Sequence, residues 1–146
     1  MEMEGNEIFN RILLASDGSD HSVRAAKKAA ELAKLNGDSE ITVVYVVDGQ
    51  TSKEDVLHNA DQTVVEEKRK ARLQPVTNML EEENLDYKFE KLLGEPGPAI
   101  VDYANKYQFD IVVVGSRGLN GLQEMVLGSV SHKVAKRVKA PVLIVK

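Results

Sequence analysis

The chain has no cysteine. That absence removes disulfides, thiolate metal sites and cysteine nucleophiles together, and it agrees with a reducing compartment. There is no apolar run of about 18 residues, the length a membrane span needs. The first residues carry Glu2, Glu4 and Glu7 rather than a basic segment followed by an apolar one, so no secretory signal is read there. The expectation is a soluble, cytoplasmic protein with no membrane partner. Excess positive charge is missing too: 19 Lys and Arg stand against 23 Asp and Glu, for a formal net charge of −4. A general DNA- or RNA-binding protein would present a basic face, so neither is expected as a partner. The sign reverses from Arg117 onward, where Lys133, Lys136, Arg137, Lys139 and Lys146 face Glu124 alone, and the lysines read as a solvated helix face.

What is present is an ordinary globular composition, with 146 residues, 42% hydrophobic and 29% charged. That is enough chain to bury a core as one domain, residues 1–146, and neither a linker nor an internal repeat divides it. Short β-branched runs alternate with longer amphipathic stretches, the pattern of an α/β protein. Strands are expected at 8–15, 41–47, 87–93, 110–114 and 141–145. Helices are expected at 19–35, 61–83, from Pro98 to about Tyr107, and at 129–139. Pro75 is expected to bend or break the second helix, because proline removes a backbone donor and crowds the preceding turn. The polar residues 50–60 read as a loop. Right-handed crossovers then make a doubly wound, five-stranded parallel sheet with helices on both faces. Strand order is not fixed by sequence alone. If the chain winds outward from an adjacent first and fourth strand, the order is 3-2-1-4-5, and a crevice opens at the carboxyl ends of those two strands.

Both of those strand ends carry candidate binding residues. The fourth strand leaves through Val114, Gly115, Ser116, Arg117 and Gly118, and the last helix is entered through Gly128, Ser129, Val130 and Ser131. Phosphate recognition needs inward backbone amides without Cβ atoms in the way, and a helix entrance supplies such amides with a favourable dipole. Gly115, Gly118 and Gly128 suit that need, Ser129 and Ser131 add hydroxyls, and Arg117 either reaches a phosphate or stays in solvent. The glycine spacing is neither the dinucleotide fingerprint nor a P-loop.

The run resembles the nucleotide-binding branch of the universal stress protein family, whose motif is Gly-x2-Gly-x9-Gly-Ser/Thr. Gly115, Gly118, Gly128 and Ser129 fill its positions. The likeness extends to Ile12-Leu13-Leu14-Ala15-Ser16-Asp17-Gly18-Ser19, to Val43-Val44-Tyr45-Val46-Val47-Asp48, to Gly94-Glu95-Pro96 and to Pro141-Val142-Leu143-Ile144-Val145. Ala15 stands where some members have proline. The resemblance implies an adenine-nucleotide alpha-hydrolase-like fold holding ATP or a related adenine nucleotide. It places Val114, Gly115, Arg117, Gly118, Gly128, Ser129, Val130 and Ser131 around ribose and phosphates, and Ala15, Ser16, Asp17 and Val46 near the nucleoside. Val46 can offer adenine an apolar wall or its backbone groups. A carboxylate beside a triphosphate needs an intervening cation or a ribose hydroxyl to accept, so Mg²⁺ or Mn²⁺ can accompany the nucleotide at Asp17. The alternative role for Asp17 is capping the first helix with Ser19.

No catalytic residue is assigned. His21, His58 and His132 lack the i, i+4 pairing of a helical metal site and read as structural or surface residues. No Gly-x-Ser-x-Gly supports an esterase. The leading reading is a regulatory stress-response module that binds ATP, with at most slow hydrolysis. Its alternatives are a metal-assisted adenylyl- or phosphoryl-transfer enzyme, a nucleotide-free interaction protein, and a binder of AMP or a cyclic nucleotide. The resemblance also implies a homodimer through the last strand, Pro141 to Val145 by this reading, which would otherwise expose an apolar edge.

Overall fold

A computed structural model describes residues 9–37, 39–47, 62–117 and 128–146. The described elements are β1 (Arg11–Ala15), α1 (Asp20–Asn36), β2 (Glu40–Val47), α2 (Gln62–Glu82), β3 (Tyr87–Leu93), α3 (Pro96–Tyr107), β4 (Ile111–Gly115), α4 (Ser129–Arg137) and β5 (Val142–Val145). All strand pairs are parallel, and the order is β3-β2-β1-β4-β5. This is the doubly wound arrangement expected from the alternation of elements. The loop expected at 50–60, Gly118 and the rest of the 118–127 connection lie outside the described residues.

Continuous apolar strands form here because successive side chains point to opposite faces and both faces are covered. Ile12 and Leu14 of β1 join Ile41, Val43, Ile111 and Val113 beneath the alanine stripe of α1 and Val76 and Leu80 of α2. Leu13 and Ala15 point the other way, joining Val44, Val112 and Val114 beneath Ile100, Val101 and Ala104 of α3 and Val134 of α4. The alanines of α1, Ala25 to Ala33 on one stripe, let that helix approach the sheet closely. Ser19 caps it and Gly37 ends it at φ +84°, as Asn36 and Gly37 suggested.

Pro75 does not break α2, which runs unbroken across it. An interior proline costs a helix about 3 kcal/mol, but Leu73, Val76 and Leu80 on either side are almost wholly buried. Each such side chain contributes about 1.5–3 kcal/mol on burial, so sheet packing outweighs the lost hydrogen bond. The third helix likewise starts earlier than expected, with both Pro96 and Pro98 in its first turn, where no intrahelical donor is needed.

At the centre, β1 stops while its neighbours continue. The β1–β2 pairing ends at Ala15 with Val44, followed by a bond from Ser16 N–H to the Val44 carbonyl (3.0 Å), and the β1–β4 pairing ends at Leu14 with Val113. From there the chain leaves β1 for α1 on one face of the sheet and β4 for α4 on the other. That divergence opens the switch-point crevice.

Candidate functional site

The β1–α1 turn is held by its own polar groups. An Asp17 carboxylate oxygen accepts from Ser19 N–H at 2.9 Å, and Ser19 Oγ accepts from Ser22 N–H at 3.3 Å. Ser19 is thus the N-cap of α1, and Asp17 braces the turn that leads into it. Gly18 sits at φ +85°, and a Cβ there would lie 2.6 Å from the Arg72 carbonyl oxygen. Both the left-handed conformation and the close approach of α2 require glycine. Arg72 in turn donates to the Tyr45 hydroxyl at 2.6 Å, tying α2 to the end of β2. Ser16 differs from these residues: it is 6% exposed, and its buried hydroxyl has no hydrogen-bond partner among the described residues.

Across the crevice, Ser116 gathers the ends of the glycine connection. Its N–H donates to the Val145 carbonyl (2.8 Å) and its carbonyl accepts from Gly128 N–H (2.8 Å). The buried Ser131 Oγ lies 2.9 Å from the Ser116 carbonyl oxygen and 3.0 Å from that of Gly128, so its single proton is shared between two acceptors. Ser131 therefore shapes the closure of the connection from inside. A Cβ on Gly128 would stand 3.3 Å from the Ser116 carbonyl oxygen, a tight contact that a shift of a few tenths of an ångström would relieve. The first helical bond of α4 runs from His132 N–H to the Gly128 carbonyl, and the amides of Ser129, Val130 and Ser131 precede it at the positive end of the helix dipole. Ser129 is exposed there, and Arg117 is half-buried beside the connection.

The apolar residues named from the sequence come together on one face. Ala15 and Val114 are core members, with Val46 and Val130 packed against the same cluster. Val44 turns its carbonyl toward β1. Alternation along the strand therefore points the backbone N–H and carbonyl of Val46 to that side as well, beyond the last β1–β2 bond.

Two residues at this end were not named as site residues from the sequence. Ser116 is the joint just described. His21, expected to be structural or at the surface, packs its Cβ and backbone into the space left by Gly115, where a Cβ would come within 2.8 Å of it. Its Nδ1 lies 3.3 Å from Ser116 Oγ. The two are 95 residues apart in the chain, so no local pattern pairs them. Among the described residues, no group of three or more His, Cys, Asp or Glu could hold a metal ion. No helix among them is long and apolar enough to cross a membrane.

The universal stress protein family model matches residues 9–146. The chain belongs to the universal stress protein family. Universal stress protein MJ0531 of Methanocaldococcus jannaschii is 36% identical to it over 97% of this chain and 85% of that protein. Among solved structures, hypothetical protein MJ0577 superposes with a TM-score of 0.79 at 28% identity, covering 95% of this chain and 96% of the other. A universal stress protein solved in complex with cAMP superposes with a TM-score of 0.72 at 25% identity, covering 95% and 98%. In this universal stress protein the first turn of α1 thus packs through His21 on Gly115 and Ser116 at the end of β4, and Ser116 bonds Gly128 at the start of α4.

Proposed function

We propose that this universal stress protein binds an adenine nucleotide, ATP first among them, in the crevice between β1 and β4. The observation that carries the reading is the Ser16 hydroxyl, buried at the end of β1 without a partner among the described residues. A buried hydroxyl left unpaired costs about 1–3 kcal/mol, and a nucleoside hydroxyl or phosphate oxygen would satisfy it. Ala15, Val46, Val114 and Val130 form the apolar side, with the Val46 backbone offering a donor and an acceptor to a base edge. Gly128, Ser129 and Val130 bring the α4 amides to the phosphates, with Gly115, Arg117, Gly118 and Ser131 building or flanking the loop. Asp17 gives one oxygen to Ser19, so a Mg²⁺ or Mn²⁺ ion would be held jointly by Asp17 and phosphate oxygens, where it would offset phosphate charge. The complex of a related protein with cAMP supports the adenine class and makes cyclic nucleotide a competitor to ATP.

In this reading the chain is one regulatory domain of the cytoplasm, with no assigned catalytic residue and at most slow hydrolysis. Nucleotide occupancy biases a homodimer formed through β5. Support for that edge comes from Val142, Leu143, Ile144 and Val145, which are only half-buried at the end of the sheet.

The test is to purify the chain without added nucleotide and titrate ATP, AMP and cAMP, with and without Mg²⁺ or Mn²⁺, while following the melting transition and the molecular size. Ligand at a hundred times its dissociation constant should stabilise by about 2.7 kcal/mol. Gly128→Val should keep the fold and lose that gain. Equal gains in parent and variant would remove the site, and a persistent 16.1 kDa species in every state would remove the dimer.

A further inference from the structure

The junction where α1 starts over the end of β4 is unused by the reading above. His21 is wedged onto Gly115 and reaches Ser116 Oγ through Nδ1 at 3.3 Å. The same Ser116 closes the glycine connection through Gly128 and Ser131, and holds β5 through Val145. One imidazole therefore touches the residue on which the connection, the last helix and the edge strand converge. Its helix begins at Asp20, so the ring sits in the first turn of α1, at the positive end of that dipole. The start of α4 faces the same crevice. We propose, resting on the adenine-nucleotide reading, that His21 is a further phosphate-contact residue of this crevice, neutral without an anion and protonated when a nucleotide phosphate lies beside Ser116.

The surrounding charges support this behaviour. Burial, then Arg24, then Arg117 push the imidazole below its ordinary value, while Asp17 and Asp20 pull the other way. Arg24 belongs to the same helix and donates through Nε to the Lys146 carbonyl at 3.1 Å, beyond β5. From α2, Arg72 reaches the neighbouring turn at Gly18 and is engaged with Tyr45. Without an anion the ring is neutral near pH 7, and Nδ1 and the Ser116 hydroxyl share one hydrogen bond whose direction follows the tautomer. Phosphate charge favours the imidazolium, whose ring N–H groups both donate. The proton comes from the buffer, and no bond of the nucleotide changes.

The experiment is calorimetric titration of the full chain with Mg²⁺-ATP at pH 7 in PIPES and in Tris, which differ in ionisation enthalpy, repeated on His21→Gln. Glutamine keeps an acceptor for Ser116 but carries no titrating proton. The parent should show a larger buffer-dependent enthalpy than the variant. Its affinity should also rise more on going from pH 8 to pH 6.5, by up to about tenfold for each unit by which the phosphate moves the imidazole. Ring-proton NMR of the parent, with His58→Gln and His132→Gln used for assignment, gives a second reading independent of how His21→Gln folds. The His21 signal should titrate at higher pH with ATP than without. Binding with equal proton uptake in parent and variant, or with a His21 titration unmoved by ATP, would overturn this proposal and leave the nucleotide site standing. Absence of binding in the parent would overturn both.

Discussion

The two ends of the sheet are built from similar residue types and spend them differently. At the amino ends of the strands, Arg11 and Asp110 close on each other. Arg11 N–H donates to the Asp110 carboxylate (2.7 Å), and Asp110 N–H donates to the Arg11 carbonyl (2.8 Å). The Arg11 guanidinium reaches the carbonyls of Tyr107 and Gln108 at the end of α3 and lies 4.9 Å from the centre of the Phe109 ring. Asn105 donates to the Arg137 carbonyl and accepts from Lys139 N–H, finishing α4. At the carboxyl ends, by contrast, the Ser16 hydroxyl has no hydrogen-bond partner among the described residues, β1 stops short of its neighbours, and α1 and α4 begin beside the ends of β1 and β4. The difference teaches where to look for function: polar groups at the first end are consumed by structure, and the second end holds a group whose burial protein contacts do not repay.

The sharpest way to break this contrast is through the glycines that set the crevice. Gly18→Val should be the most damaging, at roughly 1–3 kcal/mol for backbone strain and about as much again for overpacking against Arg72. A urea melt within 0.5 kcal/mol of the parent would show that the β1–α1 turn is not fixed as described. Gly115→Val should follow, at about 1–3 kcal/mol from collision with His21, read by the same melt.

Arg11→Ala tests the opposite end. It should cost about 1–2 kcal/mol through lost hydrogen bonds and the ring contact, yet leave ATP affinity within a factor of two by calorimetry. A larger loss of affinity would mean that the two ends are not independent.

Ser16→Ala sharpens the contrast, because it should act in opposite directions on two measurements. The empty protein should melt at the same or a higher temperature, by about 1 kcal/mol, since an unpaired hydroxyl is removed. The stabilisation given by ATP should shrink. Loss of stability without nucleotide, with the ATP gain intact, would return Ser16 to the ordinary core.

The smallest effect concerns pH. The His21 imidazole is lowered from its ordinary value of 6.5 in the folded chain, so the unfolded chain binds the proton more readily. Its contribution to stability is therefore present above about pH 6.5 and lost as pH falls below it. Without nucleotide, the parent should lose stability between pH 7.5 and 5.5 faster than His21→Gln does. A parallel pair of pH profiles would remove this role for the imidazole.

Much of this architecture was legible in the residues. The runs Ile12 to Leu14, Ile41 to Val47 and Ile111 to Val114 read as buried strands because both sheet faces are covered. Ser19, Asn36 and Gly37 marked the ends of α1 through local backbone chemistry. Of the bend or break expected at Pro75, the break does not occur, since the cost of a proline is local, whereas the packing that overcomes it at Val76 and Leu80 comes from the sheet. The glycine connection drew attention through its missing Cβ atoms at a helix entrance, and Ala15, Ser16, Asp17 and Val46 through family resemblance; the fold brings the described ones to the carboxyl ends of β1, β2 and β4. Ser116 and His21 gave no sign of each other.

Sequence by itself determined what each segment prefers to be: periodicity, capping residues and glycines act over a few positions, and a chain with this alternation becomes helices packed on a parallel sheet. Only the tertiary structure decided which groups are left with something to do. The Ser16 hydroxyl has no partner among the described residues, Gly115 makes room for His21, and Ser131 turns inward onto the Ser116 carbonyl, because each depends on atoms brought together from distant parts of the chain.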